Sequence, residues 1–550
     1  MKNVFFAVVA AIIFVTTGCG SQGLAKPSKC VFADSVLPTP TGDYCVGVSS
    51  QFDWIDQKRP ETITPEKPDA KREIAAQIWY PADPGTTGIE APYMDDATAN
   101  QTMDTVKTYA EIIGISTKKL EGFHKKVHPH GMVDVPMSGK LPKYPVLLFF
   151  PGSGSVYQQY VSFLEDAASN GYVVVAVNHP YFSGLVIFND GHKVEFDSTI
   201  DRTAFIKKYF DVLPADASFA LDMTIELNSS DPSGRFRGRL DLSRVGAFGH
   251  SLGGATAVSA ARSDSRIAAS INIDGNLWGQ VSVDYVTEKP IMHILSQNSF
   301  SKLATVSNSW NRSDTGYFAE LSSTGHMNYS DIVRLCSKIA PSILDAIPQE
   351  IKDLVGIGSI NPEIPISLAR TYTAAFFNVY LRGESLAPLL ATSSRFENVT
   401  FMSSRPPHAG TEKISGPGAI GAGCATNDDC ATWFCVGTSS TGTLMGTAAA
   451  FEVPGGYCSS LAKEACTTET GGAPINLGIL GAGYIGFDLC ALPCTVDGDC
   501  RAEDAQSCFD PQALVNSGRL TSEQAQQYFG DKKYCLPQGF QDLIRKKLGG

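Results

Sequence analysis

Three glycines crowd one hydroxyl in the stretch VGAFGHSLGGATAVSAA, residues 245–261, where Gly249, Gly253 and Gly254 surround Ser251. A serine is a poor nucleophile until a base takes its proton and a carboxylate orients that base. Gly249-His250-Ser251-Leu252-Gly253 follows a short apolar strand and precedes a helix of small residues, the setting of a sharp strand-to-helix turn. At such a turn, side chains two positions before or after the serine collide with neighbouring segments, so glycine is required on both sides. The turn lifts the hydroxyl off the sheet and brings the unpaired N–H groups of a helix N-terminus beside it. Asp274 (SINIDGNLWG) and His326 (YFAELSSTGHMNYSD) come 23 and 75 residues later, each just after an apolar strand. Serine, acid and histidine in that order predict acyl transfer, with Ser251 as nucleophile, His326 as base and Asp274 orienting it. Asp-Gly is also a common turn pair, and His250 and His179 compete for the base. The ring of His250 is expected to point away from the hydroxyl.

The elements that must position these residues are legible as hydrophobic runs. YPVLLFF and GYVVVAV are continuous apolar stretches flanked by Pro or Gly, the pattern of strands buried on both faces of a parallel sheet. Between them SVYQQYVSFLEDAASN carries Val156, Tyr160, Phe163 and Leu164 at helical spacing. Strand, helix, strand gives an α/β class with a mostly parallel sheet. REIAAQIWYP, VGAF, IAASINI and PIMHIL supply further strands, and helices are expected near 215–227 and 252–263. The polar segment 83–140 interrupts the alternation and is expected to be a surface insertion, with a helix near 98–116 and a role as a cover over the site. Its HKKVHPHG stretch holds three histidines, but Pro129 breaks the helix that would align His124 with His128, so isolated surface histidines are expected and no metal.

Fourteen cysteines divide the chain of 550 residues. Ten lie beyond residue 423, Cys30 and Cys45 lie near the start, and Cys336 stands alone as an expected buried thiol. Residues 404–423, rich in Gly, Pro and Ser, are expected to link a catalytic domain, 28–403, to a small disulfide-rich C-terminal domain, 424–550. In the latter, Cys424, Cys430, Cys435 and Cys458 parallel Cys494, Cys500, Cys508 and Cys535, predicting two disulfide-stapled repeats rather than zinc sites. Asp428, Asp429, Asp497 and Asp499 are expected to form turns rather than bind calcium.

Residues 1–19, with Lys2, an apolar run from Val4 to Val15 and small residues up to Cys19, have the layout of an export signal. An exported, oxidising location suits the even cysteine count. The net charge of -12 leaves no general basic surface for phosphate backbones, so a nucleic-acid partner is not expected.

From about Tyr44 to Phe401 the chain resembles the platelet-activating-factor acetylhydrolases of the plasma and type II intracellular kind. The resemblance lies in QIWYP, YPVLLFFPGSGS, GRLDLSRVGAFGHSLGGATA, INIDGNLWG and HMNYSD. It implies an α/β-hydrolase fold and a serine carboxylester hydrolase working through an acyl-enzyme on short or oxidised acyl phospholipid esters, with no metal or cofactor. It also implies oxyanion donors at the backbone N–H groups of Leu252 and Ser153. The turn reads Pro151-Gly152 where that family usually carries His-Gly, and in this it resembles cutinase-like polyester hydrolases. A polyesterase or general carboxylesterase is therefore the competing enzyme reading, and a surface-binding Cys-rich protein with a relic hydrolase domain is the competing reading of another class. The Thr-Thr-Gly-Cys end of the export segment resembles the processing site of bacterial lipoproteins, which implies lipidation of Cys19, a membrane anchor and a place in the cell envelope or outside it. No partner of the Cys-rich domain is implied.

Overall fold

The computed structural model describes residues 29–64, 69–112, 116–197, 200–279, 289–297, 306, 315–396, 399–403, 434–436, 457–459, 473–476, 488–500 and 506–548. The expected export segment, Cys19 and the linker 404–423 lie outside the described residues.

Apolar runs dictate the centre of the molecule. Strands β5 (Tyr144–Phe150) and β6 (Val173–Asn178) are buried at every position. Successive side chains of a strand point to opposite faces. Accordingly Leu147 and Phe149 of β5 enter one apolar cluster, and Val146, Leu148 and Phe150 enter another. Helix α2 (Val161–Ser169) and a long helix, Glu363–Arg382, cover the first face. Helix α4 (Val212–Ser230) and helix α5 (Leu252–Ser263) cover the second. The sheet is thus sandwiched between helical layers, which is how parallel strands are kept from water.

Strand β9 (Leu240–His250) lies parallel to β5, followed outward by β10 (Ile267–Ile273), β11 (Ile291–Leu295) and β12 (Gly316–Leu321), all parallel. β13 (Val399–Ser403) closes that edge antiparallel to β12. On the other side β3 (Lys71–Ala82) pairs antiparallel with β6 and carries β1 (Cys45–Val48) and β2 (Phe52–Pro60). The full order is β13-β12-β11-β10-β9-β5-β6-β3-β1 and then the short strand Gly131–Val133 (β4), with β2 on β3. A hairpin of β7 (Leu185–Ile187) and β8 (Lys193–Glu195) stands apart. This is the α/β-hydrolase arrangement, with a mostly parallel sheet in the middle.

The segment 83–140 departs from expectation. It carries helix α1 (Asp96–Ile112), as its pattern indicated, but it also contributes β4 (Gly131–Val133), the edge strand of the main sheet. Tyr93, Met94, Leu120 and Phe123 are buried in the main apolar cluster. The segment is a flank of the domain, and none of its described residues lines the cleft described below. Its three histidines do not converge. His124 Nε2 meets Asp96 at 2.7 Å, His128 Nδ1 meets Glu90 at 2.9 Å and His130 Nδ1 meets Glu165 at 2.9 Å. Each ring has a carboxylate of its own from a different stretch of chain.

Cys30 and Cys45 are bonded to each other, and the Cys336 thiol is free, half-buried and pushed up to about 11 by burial. In the C-terminal region Cys494 pairs with Cys508 and Cys500 with Cys535. There β18 (Pro493–Cys494) and β19 (Gln506–Phe509) flank β20 (Lys533–Pro537). Phe509, Leu514, Phe529 and Leu536 are buried, and they join the same continuous apolar cluster as Ile206, Leu252 and Leu277 of the hydrolase. Asp499 accepts backbone N–H bonds from Thr495 and Val496, and Asp497 accepts one from Cys508, so both serve the turn. In the first repeat, Cys424 and Cys430 lie outside the described residues. Cys435 and Cys458 stand opposite one another on β14 (Phe434–Val436) and β15 (Tyr457–Ser459). Cys508 and Cys535 stand opposite one another on β19 and β20 in the same way.

Candidate active site

β9 ends at His250 and α5 begins at Leu252, leaving Ser251 alone at the turn with φ 57° and ψ −122°. A non-glycine residue with positive φ is strained, and it persists only where the surroundings hold it. They do so closely. A Cβ on Gly253 would stand 2.0 Å from the Phe150 carbonyl oxygen, and one on Gly249 would stand 2.5 Å from it. The glycines therefore let β5, the turn and α5 approach at backbone distance. The Ser251 N–H donates to Ile273 O at 2.8 Å, which locks the turn onto the end of β10.

β10 delivers Asp274 directly after its last residue, and the loop after β12 delivers His326. His326 Nε2 is 2.9 Å from Ser251 Oγ, and His326 Nδ1 is 2.7 Å from Asp274 Oδ2. The structure thus brings the three sequence-selected side chains into one hydrogen-bonded chain. Asp274 is buried and its carboxylate also accepts from the N–H and the hydroxyl of Ser296, both at 2.8 Å. With its oxygens so engaged, the carboxylate is fixed in orientation and fixes the imidazole in turn, so the Nδ1–H donates to Asp274 and Nε2 faces the serine.

The loop that holds His326 is pinned from several sides. Asn328 Oδ1 accepts the N–H groups of Gly325 at 2.8 Å and Gly358 at 2.7 Å, and Met327 N–H donates to Gly356 O at 2.8 Å. His250, a rival for the base, lies beneath it and does not meet the serine hydroxyl. Its Nε2–H donates to the carbonyl of His326 at 2.9 Å, and its Nδ1 accepts from the Tyr160 hydroxyl at 2.9 Å. Burial, then the neighbouring His326, pushes the His250 imidazole down to about 3, so it stays neutral and holds one tautomer. His179, the other rival, is buried against Asp216 at 2.9 Å and takes no part.

Gly152 completes the turn opposite the serine. A Cβ there would be 3.2 Å from Ser251 Cβ, so the Pro151–Gly154 turn lies against Ser251. Gly154 N–H donates to Phe182 O and Ser155 N–H to Gly152 O. Among the described residues no acceptor meets the N–H of Leu252 or of Ser153. Leu252 opens α5, where helix N–H groups and the positive end of the helix dipole are available to a developing anion.

The site opens into a cleft of ≈ 900 Å³, whose walls include Ser153, Arg202, Trp278, Gln297, Asp353 and Ile357. Trp278 both lines this cleft and packs against the cluster around Leu252. Sequence reasoning did not find Tyr160, Ser296 or Asn328. In the sequence Tyr160 stands only as one of the apolar positions of a helix, and no spacing rule marks the other two.

The profile of the family described as "Platelet-activating factor acetylhydrolase, isoform II" matches residues 30–200 and 219–381. A probable 1-alkyl-2-acetylglycerophosphocholine esterase of Arthroderma benhamiae is 26% identical over 277 residues, covering 47% of this chain and 66% of that protein. A platelet-activating factor acetylhydrolase of Cavia porcellus is 23% identical over 281 residues, covering 46% of this chain and 62% of that protein. The matches span a little under two thirds of these relatives. Among solved structures, a ferulic acid esterase from Streptomyces cinnamoneus aligns with TM-score 0.52 and 25% identity over 66% of this chain and 98% of its own. The family profile spans both the Pro151–Gly154 turn and the whole Ser251–Asp274–His326 constellation, and well over half of the sequence. The chain therefore belongs to the platelet-activating factor acetylhydrolase isoform II family.

Proposed function

We propose that the chain is a serine carboxylester hydrolase that acts through an acyl-enzyme on phospholipid esters with short or oxidised acyl chains. The observation that carries the reading is the unbroken chain Ser251 Oγ, His326 Nε2, His326 Nδ1, Asp274 Oδ2, with links of 2.9 and 2.7 Å. Ser251 Oγ attacks the ester carbonyl carbon while His326 Nε2 takes its proton, and Asp274 stabilises the imidazolium that forms. The carbonyl oxygen, now an anion, is held by the N–H groups of Leu252 and Ser153. Collapse breaks the bond to the alcohol, which leaves with the proton from His326. Water then attacks the acyl-serine by the same route in reverse, releasing the acid and restoring the hydroxyl.

The family membership and the printed activities of the relatives support the substrate class. The Pro151-Gly152 turn and the ferulic acid esterase neighbour favour a general carboxylesterase or polyesterase as second reading. Purified protein assayed on a short-acyl phosphatidylcholine, a p-nitrophenyl ester and a polyester film separates them. Turnover of the film without turnover of the phospholipid would replace the first reading by the second. Replacing Ser251 by Ala is expected to lower turnover of every ester by roughly 10³- to 10⁶-fold, since the three residues act as a unit. Labelling of the wild type by a fluorophosphonate, lost in Ser251→Ala, is the companion test, and an unlabelled wild type would point to the binding-protein reading. The export-signal layout and the paired cysteines further support an exported protein, anchored through a lipid on Cys19.

A further inference from the structure

Arg202 is the one Lys or Arg among the described residues that line the cleft. It opens helix α3 (Arg202–Tyr209), whose first turn is fixed by the Asp201 carboxylate accepting the Ala204 N–H at 3.1 Å. Its guanidinium carbon lies 4.9 Å from the centre of the Phe196 ring, and its Nη2 lies 3.7 Å from where a Cβ on Gly154 would stand. The group is thus held over an aromatic face and beside the turn that contains Ser153. Among the described residues no carboxylate pairs with it, although the chain carries 56 acidic residues against 44 basic ones. A guanidinium presents a planar fork of donors matched to phosphate and carboxylate, and left unpaired in a cleft it is a ready anion receptor.

We infer that Arg202 binds the phosphate diester of the ester substrate while Ser251 attacks its acyl carbon, which makes Arg202 a specificity determinant for phospholipid over neutral ester. The inference deepens the phospholipid reading above and rests on it. Only a short glycerol arm separates the sn-2 ester of a glycerophospholipid from its phosphate, so an anion receptor must stand close to the oxyanion turn. Arg202, against Gly154, meets that requirement. The recognition is local and not a general positive field, because Asp353, hydrogen-bonded to Gln349 at 2.7 Å, lines the same cleft.

The test compares wild type, Arg202→Gln and Arg202→Lys on a short-acyl phosphatidylcholine and on p-nitrophenyl butyrate. The ratio of kcat/KM for phospholipid to that for the neutral ester is expected to fall roughly 10- to 100-fold in Arg202→Gln, mainly through KM, as for one lost charge-assisted hydrogen bond. Arg202→Lys recovers part of that ratio because it keeps the charge without the fork. Inorganic phosphate is expected to compete with p-nitrophenyl butyrate in the wild type, with a clearly higher inhibition constant in Arg202→Gln. A selectivity ratio that does not move overturns the assignment. If the wild type cleaves p-nitrophenyl butyrate but no phosphatidylcholine, the phospholipid reading fails. Phosphate inhibition then decides on Arg202 alone: weakened inhibition in Arg202→Gln keeps an anion site, and equal inhibition removes it.

Discussion

Tyr160 shows how a residue away from the reacting atoms can set their geometry. Its hydroxyl donates to His250, whose other nitrogen donates to the carbonyl of His326, and it also accepts the Gly152 N–H at 3.4 Å. Burial pushes the phenol up to about 12, so it remains a donor throughout the working range. Tyr160→Phe leaves His250 Nδ1 and the Gly152 N–H buried without partners, at a cost of about 1–3 kcal/mol each. A lower melting temperature together with a lower kcat is expected, and a variant with unchanged kcat would show that the His326 loop stands without this support. The Ser251–His326–Asp274 constellation was legible because strained turns and strand ends restrict which residue types can occupy them. The supporting bonds were not, because Tyr160 and His250 meet across 90 residues and obey no local spacing. Arg202 escaped notice for the same reason, since only the folded cleft brings it near Ser251.

At the scale of elements, strands buried on both faces were the clearest signal. YPVLLFF and GYVVVAV became β5 and β6, and the helices expected near 215–227 and 252–263 became α4 and α5. The edge strand β4 was hidden because Gly-Met-Val is too short to show alternation and joins the sheet through β1, far away in the sequence. The Cys-rich repeats carry the next prediction. The third and fourth cysteines of each copy face one another across an antiparallel pair, and in the second copy the bonds run from first to third and second to fourth. If the copies share one fold, peptide mapping by mass spectrometry without reduction should recover Cys424 linked to Cys435, Cys430 to Cys458, and Cys466 to Cys490. Recovery of a Cys435–Cys458 peptide would show that the copies differ.

For the whole molecule, buried ionisable groups set the response to acid. Burial pushes His250 and His293 down to about 3, and it lowers His179 below its usual value against the pull of Asp216. Below about pH 6.5 an unfolded chain takes up protons on these rings that the folded chain refuses, so stability falls as pH falls. Asp331 works in the opposite sense, because burial raises its carboxyl to about 7 and the folded chain holds a proton that the unfolded chain releases above about pH 4. Three rings against one carboxyl leave a net loss between pH 6.5 and 4. Asp216 adds to the loss further down. Its burial would raise it, but Arg72 and then His179 outweigh that and hold it well below the usual carboxylate range. Melting temperature measured from pH 8 to 4 is therefore expected to drop once the pH passes below about 6.5, and a flat profile would contradict the neutral state of these histidines.

The Cys30–Cys45 bond joins the first described stretch to strand β1, which is itself paired with β3 and β4 at the sheet margin. Tension applied at the beginning of the chain, as a tether to a surface would apply it, enters the domain through a covalent crosslink at that margin. Ser251 and His326 hang from β9 and the loop after β12, so strands β3, β6 and β5 stand between that crosslink and the Ser251–His326 pair.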